Sequence, residues 1–150
     1  MTRVDPVATP VTYMLDTNIC SFIMRQNPPQ VLQRLQKAAE AGNRLVISAI
    51  THAELRYGAA SPKAPKAVAA WIDALVQRLD DVLPWDIDAV DSSAKLMKLL
   101  LDSGTPVGPN DRGIAGHALA TDCVIVTNNT REFRRVPGLV VEDWCNSEPA

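Results

Sequence analysis

A chain of 150 residues carries enough material for one hydrophobic core and not for two. With 47% apolar and 21% charged residues the composition is ordinary globular, which excludes a disordered or fibrous body. Fifteen Lys and Arg against seventeen Asp and Glu leave a formal charge of −2, so the chain lacks the basic balance of a nonspecific nucleic-acid binder, and any phosphate chemistry must come from a local arrangement.

In chain order, short β-branched runs alternate with longer helical stretches, the pattern of an α/β domain around a mostly parallel sheet. Val11 to Leu15 reads as the first strand. It ends at Asp16-Thr17-Asn18, where Thr17 or Asn18 is expected to cap a helix that turns Ile19, Phe22 and Ile23 inward. Pro28 and Pro29 open a second helix to about Ala41, with Val31, Leu32 and Leu35 at helical spacing and Gly42-Asn43 as its stop.

Leu45 to Ile47 is a second short strand. Thr51 and Glu54 then have the spacing of a capping box, which places Glu54 in the first turn of a helix. A turn from Ser61 to Lys66 precedes a helix to about Leu79 that is expected to bury Val68, Trp71, Ile72 and Leu75. Val82 to Trp85 reads as an edge strand, because Pro84 cannot donate a ladder hydrogen bond. Ile87 to Leu101 carries Val90, Ala94, Met97 and Leu101 three and four apart. After a Gly/Pro loop, Asn110 to Ala120 is a small-residue helix bearing Asp111. Cys123 to Thr127 is a strand and Leu139 to Val141 a last short one.

No apolar run approaches the roughly 18 residues that span a bilayer, and the first ten residues lack a continuous hydrophobic stretch for secretion, so the expected location is the cytoplasm. Cys20, Cys123 and Cys145 are odd in number and without paired spacing, which suits reduced thiols. One domain is expected over 11–145, with flexible segments at 1–10 and 146–150.

Three acids fall at the same kind of place. Asp16 follows the first strand, Glu54 follows the second, and Asp111 opens a late helix. In an open parallel sheet the strand ends and helix starts share one edge, so distant carboxylates can converge there. Carboxylates held that close repel, and a pocket answers by raising a pKa or by binding a cation. With oxygen donors only and no convincing His/Cys set, Mg²⁺ or Mn²⁺ is favoured over Zn²⁺. Taken singly each acid has a plainer role: Asp16 as a helix cap, Glu54 as half of a capping box, Asp111 as a charge at a helix N-terminus. His52 and His117 read as packing or hydrogen-bonding residues, and Trp71, Trp85 and Trp144 as core or interface.

Four motifs occur together: Tyr13-Met14-Leu15-Asp16-Thr17-Asn18, Ser48 to Gly58 (SAITHAELRYG), Thr105 to Ala118 (TPVGPNDRGIAGHA), and Val126 to Phe133 (VTNNTREF). In that order, and over about Val11 to Cys145, they resemble the VapC toxins. The resemblance implies a PIN-like three-layer α/β/α sandwich and an endoribonuclease dependent on Mg²⁺ or Mn²⁺. It also implies a homodimer, and a cognate VapB antitoxin, for which apolar helical faces between Pro28 and Leu79 are the expected groove.

By motif position, Asp16 and Asp111 are metal ligands and Glu54 a direct or water-mediated third. The fourth place is open between Asn129, through water, and Glu132 reaching back. The reaction implied is hydrolysis of a structured RNA, a tRNA or a ribosomal RNA loop, by cation-activated water that Glu54 orients, leaving a 5′-phosphate and a 3′-hydroxyl. Thr17, Asn18, Thr127, Asn129 and Arg112 are candidates to bind substrate, and Asn18 to orient Asp16. Arg25, Arg56, Arg131, Arg134 and Arg135 are further cations for phosphates. The same acids would serve a metal-dependent phosphatase, and the same fold a noncatalytic RNA- or protein-binding module.

Overall fold

The computed structural model of the protein describes residues 10–146. The flexible termini expected at 1–10 and 146–150 therefore lie outside the described residues, except for Pro10 and Asn146. Among the described residues the strands are β1 (Thr12–Leu15), β2 (Arg44–Ser48), β3 (Asp81–Leu83), β4 (Val124–Val126) and β5 (Val141–Glu142). The helices are α1 (Thr17–Arg25), α2 (Pro29–Glu40), α3 (Ala49–Ala59), α4 (Val68–Arg78), α5 (Ile87–Asp102), α6 (Pro109–Ala120) and α7 (Thr130–Phe133). No described helix is long and apolar enough to cross a membrane.

The strands form one sheet in the order β3-β2-β1-β4-β5, and every pairing is parallel. Parallel neighbours need crossover helices, and these cover both faces. Side chains alternate across the strands accordingly. Leu15, Leu45, Ile47 and Val126 pack with α1, α2, α4 and Trp144, while Met14, Val46 and Ile125 pack with α5, α6 and Phe133. The expected three-layer α/β/α sandwich is the fold observed.

Several local expectations are corrected. Asp16 itself caps α1, accepting from the Ile19 N–H, so the helix starts at Thr17 and neither Thr17 nor Asn18 is the cap. Ser48 caps α3 through the Ile50 N–H. Thr51 is therefore already inside the helix, the capping box does not form, and Glu54 stands in the second turn, free for another role.

Trp71 lies 41% exposed while Ile72 and Leu75 carry the buried face of α4. In α5 the periodic stripe read from sequence is the outward one. Val90, Met97 and Leu101 are 46%, 42% and 58% exposed, and Ala89, Leu96 and Leu100, one position back, face the core. β3 is indeed an edge strand, but it stops before Pro84, and β5 starts two residues later than expected and ends one later.

Candidate active site

Every strand of a parallel sheet ends on the same edge, and the site is built there. Asp16 follows β1 in extended backbone and is nearly fully buried. Its Oδ1 accepts from the Ile19 N–H at 2.9 Å, and its Oδ2 accepts from the Thr127 hydroxyl. Thr127 is the first residue beyond β4, fully buried, and its Oγ1 in turn accepts from the Asn129 N–H at 2.9 Å. The carboxylate is thus fixed by the strand next door and not by Asn18, whose amide instead faces Asn128 at 3.4 Å.

Glu54 reaches the same edge from α3. Its Oε1 accepts from the Thr17 hydroxyl at 2.8 Å, a strut between the first turn of α1 and the second turn of α3. The hydroxyl hydrogens of Thr17 and Thr127 are therefore both committed to acids, so these threonines act first as struts and not as free donors to a ligand.

Asp111, in the first turn of α6, meets Glu132 of α7 carboxyl to carboxyl. Asn129 lies between them. Its Nδ2 donates to Asp111 Oδ2 at 3.1 Å and to Glu132 Oε2 at 2.7 Å. Two carboxylates offer only acceptors, so the amide must turn its NH₂ toward them and its oxygen away. Of the two residues left open by the sequence, both stand beside Asp111, Glu132 with its carboxyl and Asn129 with its NH₂.

The electrostatics follow from burial. Desolvation pushes Asp16 up to about 6, against the lowering by its bonds from Thr127 and Ile19, and the charges of Glu54 and Asp143 push the same way as burial. Burial also raises Asp111, as do the contact with Glu132 and the charge of Asp16. Glu132 is held down, first by the hydrogen bond from the protonated Asp111 and then by Asn129. Without a cation, Asp111 and Glu132 share a proton.

Asp143, the residue after β5, belongs to this neighbourhood and was missed from sequence. The rule that singled out Asp16, an acid directly after a strand, would have found it had β5 been ended at Glu142, one residue later.

A hard divalent cation fits the donor set, which is carboxylate and hydroxyl oxygen. Among the described residues no three His, Cys, Asp or Glu side chains stand close enough to grip one ion by themselves. Neither histidine hydrogen-bonds an acid of the cluster among the described residues. The three cysteines are free thiols, as expected.

Beside the acids, a groove of about 650 Å³ opens from Thr17 and Glu54 between α1, α3 and α4. Met24, Leu55, Val68 and Trp71 wall it, and Arg25 and Lys63 stand among its lining residues. The other expected cations are dispersed. Arg56 pairs with Asp73, and Arg135 donates to the Pro106 carbonyl. Arg112 lines a different cleft with Trp85 and Met97, and Arg131 and Arg134 are exposed around Glu132.

The chain matches the family model described as the PIN domain over residues 13–139. It is 42% identical over 133 residues to the tRNA(fMet)-specific endonuclease VapC of Salmonella typhimurium, covering 89% of this chain and 98% of that one. It is 43% identical over 132 residues to the protein of the same name from Shigella flexneri, covering 88% and 97%. The crystal structure of VapBC2 from Rickettsia felis, bound to a DNA fragment from its promoter, superposes with a TM-score of 0.82 at 34% identity, covering 89% of this chain and 99% of that one.

Proposed function

The chain belongs to the PIN-domain family, within it to the VapC ribonucleases, and on that premise we propose that it is a divalent-cation-dependent endoribonuclease that cleaves tRNA and is neutralised by a VapB-type antitoxin. The observation that carries the reading is the Asp111–Glu132 contact beside buried Asp16. Carboxyl groups brought this close cost stability unless something positive joins them.

Asp16, Asp111 and Glu132 would hold Mg²⁺ or Mn²⁺ in part through its bound waters, as suits an ion that gives up its hydration reluctantly. When bound, such an ion supplies positive charge for the scissile phosphodiester and makes water acidic enough to attack it. Thr127 and the Ile19 N–H keep the Asp16 oxygens aimed while leaving each a further lone pair. Thr17 fixes one oxygen of Glu54, so that the other takes the proton from the attacking water. The products would be a 5′-phosphate and a 3′-hydroxyl.

The choice of tRNA over ribosomal RNA rests on the printed names of the Salmonella and Shigella relatives. A looped or single strand suits a shallow edge better than a duplex. Those names also favour an enzyme over a noncatalytic module or a phosphatase. The groove between α1, α3 and α4, in part within the stretch expected from sequence, is the proposed antitoxin seat. The outward apolar stripe of α5 is the proposed homodimer surface. The cytoplasm, where tRNA and antitoxin are made, is the proposed location.

The test is direct. Purified chain is incubated with total tRNA and Mg²⁺ and the fragment ends are sequenced. Cleavage at one site, lost with EDTA and in Asp111→Asn, is expected. Cleavage that persists in folded Asp111→Asn would refute the proposal.

A further inference from the structure

His117 lies in α6, six residues beyond Asp111, and is buried. Its Nδ1 stands 2.8 Å from the hydroxyl oxygen of Ser48, the residue that ends β2 and caps α3. Because Ser48 Oγ already accepts from the Ile50 N–H at 3.1 Å, its own hydrogen is free for the imidazole. Nδ1 is then the acceptor and the ring proton sits on Nε2, from which it is given to the Pro84 carbonyl. Trp85 meets the ring edge-on at 5.3 Å and stops it from turning. One imidazole therefore ties α6 to the start of α3 and to the link between β3 and α5.

The surroundings give that tie a purpose. α6 approaches its neighbours through glycines: a Cβ on Gly113 would strike Ile50 of α3, and one on Gly116 would come within 2.7 Å of the Ser93 backbone of α5. Flat, small contacts of this kind allow close approach but do little to fix how far one helix slides along another. The Ser48–His117 bond is directional, so it sets the slide. Asp111 rides on α6 and Glu54 on α3, six residues after Ser48. Their separation is thus fixed from behind by a pair that touches neither acid.

We propose that His117 is a positioning residue, holding the helix of Asp111 in register with the helix of Glu54 through Ser48. This rests on the nuclease reading above. Displacements of about 1 Å at a catalytic group cost on the order of a hundredfold in rate.

The experiment compares His117→Phe, which keeps the volume but not the bond, with His117→Asn, whose Oδ1 takes the place of Nδ1. Each is measured for tRNA cleavage and, separately, for Mn²⁺ affinity by calorimetry. We expect His117→Phe to lower kcat by roughly 10- to 100-fold with KM within about twofold, to weaken Mn²⁺ severalfold, and to be largely rescued in His117→Asn.

Should His117→Phe not fold, Ser48→Ala removes the same bond from the other side together with the α3 cap at the Ile50 N–H, and a kcat loss at least as large is expected. A folded His117→Phe with wild-type kcat and Mn²⁺ affinity, or His117→Asn no better than His117→Phe, overturns the proposal. Wild-type protein that neither cleaves RNA nor binds Mn²⁺ overturns the nuclease reading, and this inference with it.

Discussion

Asp16→Asn should make the protein more stable at neutral pH while abolishing its activity. Burial raises the Asp16 carboxyl from an ordinary 3.8 to about 6. A raised acid binds its proton more tightly in the folded chain than in the unfolded one. Below pH 4 both states are protonated and the group contributes nothing. Between about pH 4 and 6 stability falls as pH rises, and above about 6 the full penalty is present.

At about 1.4 kcal/mol per pH unit that penalty is about 3 kcal/mol. Asn keeps the helix cap, since its Oδ1 accepts from Ile19 as before. Thr127 must turn its hydroxyl to accept from the new NH₂, at a cost of about 1 kcal/mol. The net gain of about 2 kcal/mol corresponds to a rise in Tm of roughly 4–8 °C for a chain of this length.

Thermal melts of wild type and Asp16→Asn in EDTA, at pH 4 and pH 8, measure it. At pH 4, where only the Thr127 cost remains, the variant should melt about 2–4 °C below wild type; at pH 8 it should melt above it, and Mg²⁺ should remove that advantage by stabilising the wild type alone. A Tm difference equal at both pH values, or a variant less stable than wild type at pH 8, would show that Asp16 carries no such strain.

Further outcomes follow from the struts. Thr127→Val strips the hydroxyl from Asp16 and from the Asn129 N–H together, and single-turnover cleavage should fall roughly 10- to 100-fold, with Thr127→Ser near wild type. Thr17→Ala frees Glu54, so kcat should drop several-fold while RNA affinity measured in Ca²⁺ stays unchanged. Asn129→Asp adds a third carboxylate between Asp111 and Glu132, and its Tm in EDTA at pH 8 should drop by several degrees and recover with Mg²⁺. Because Asp16 and Asp111 must be ionised to take a cation, activity should fall as pH drops through about 6. That acid limb should move lower as Mg²⁺ is raised, since the ion competes with the protons.

The position of the acids was legible because chain topology dictates it. Once β1 and β2 are read as parallel neighbours, residues that follow them must share an edge, and Asp16 and Glu54 needed no finer detail than that. What the sequence left undecided depended on atoms and not on patterns. Which group Asn129 and Glu132 each present to Asp111 turns on which way one amide faces, and periodicity carries no information on that. Likewise the α5 stripe at Val90, Met97 and Leu101 and the core stripe at Ala89, Leu96 and Leu100 are both apolar and both helical in spacing. Periodicity ranks them equally, and only the neighbouring α6 chooses.

The misread caps have a common physical origin that bears on function. At Asp16 and Ser48 a residue at a strand end also caps the following helix, so strand and helix join without a loop between them. Such a junction has little freedom to move, and both lead directly to the cluster. Thr17 then bonds the first junction to Glu54 on α3, and Thr127, just beyond β4, bonds Asp16 of that same junction. Asp16 is held by a backbone and a hydroxyl donor, Glu54 by a hydroxyl, and Asp111 and Glu132 by the Asn129 amide, so the carboxylates are restrained from moving apart to relieve their repulsion. Their repulsion is relieved by a proton, toward which Asp111 is shifted, or by the divalent cation proposed above, which competes with that proton better as pH rises.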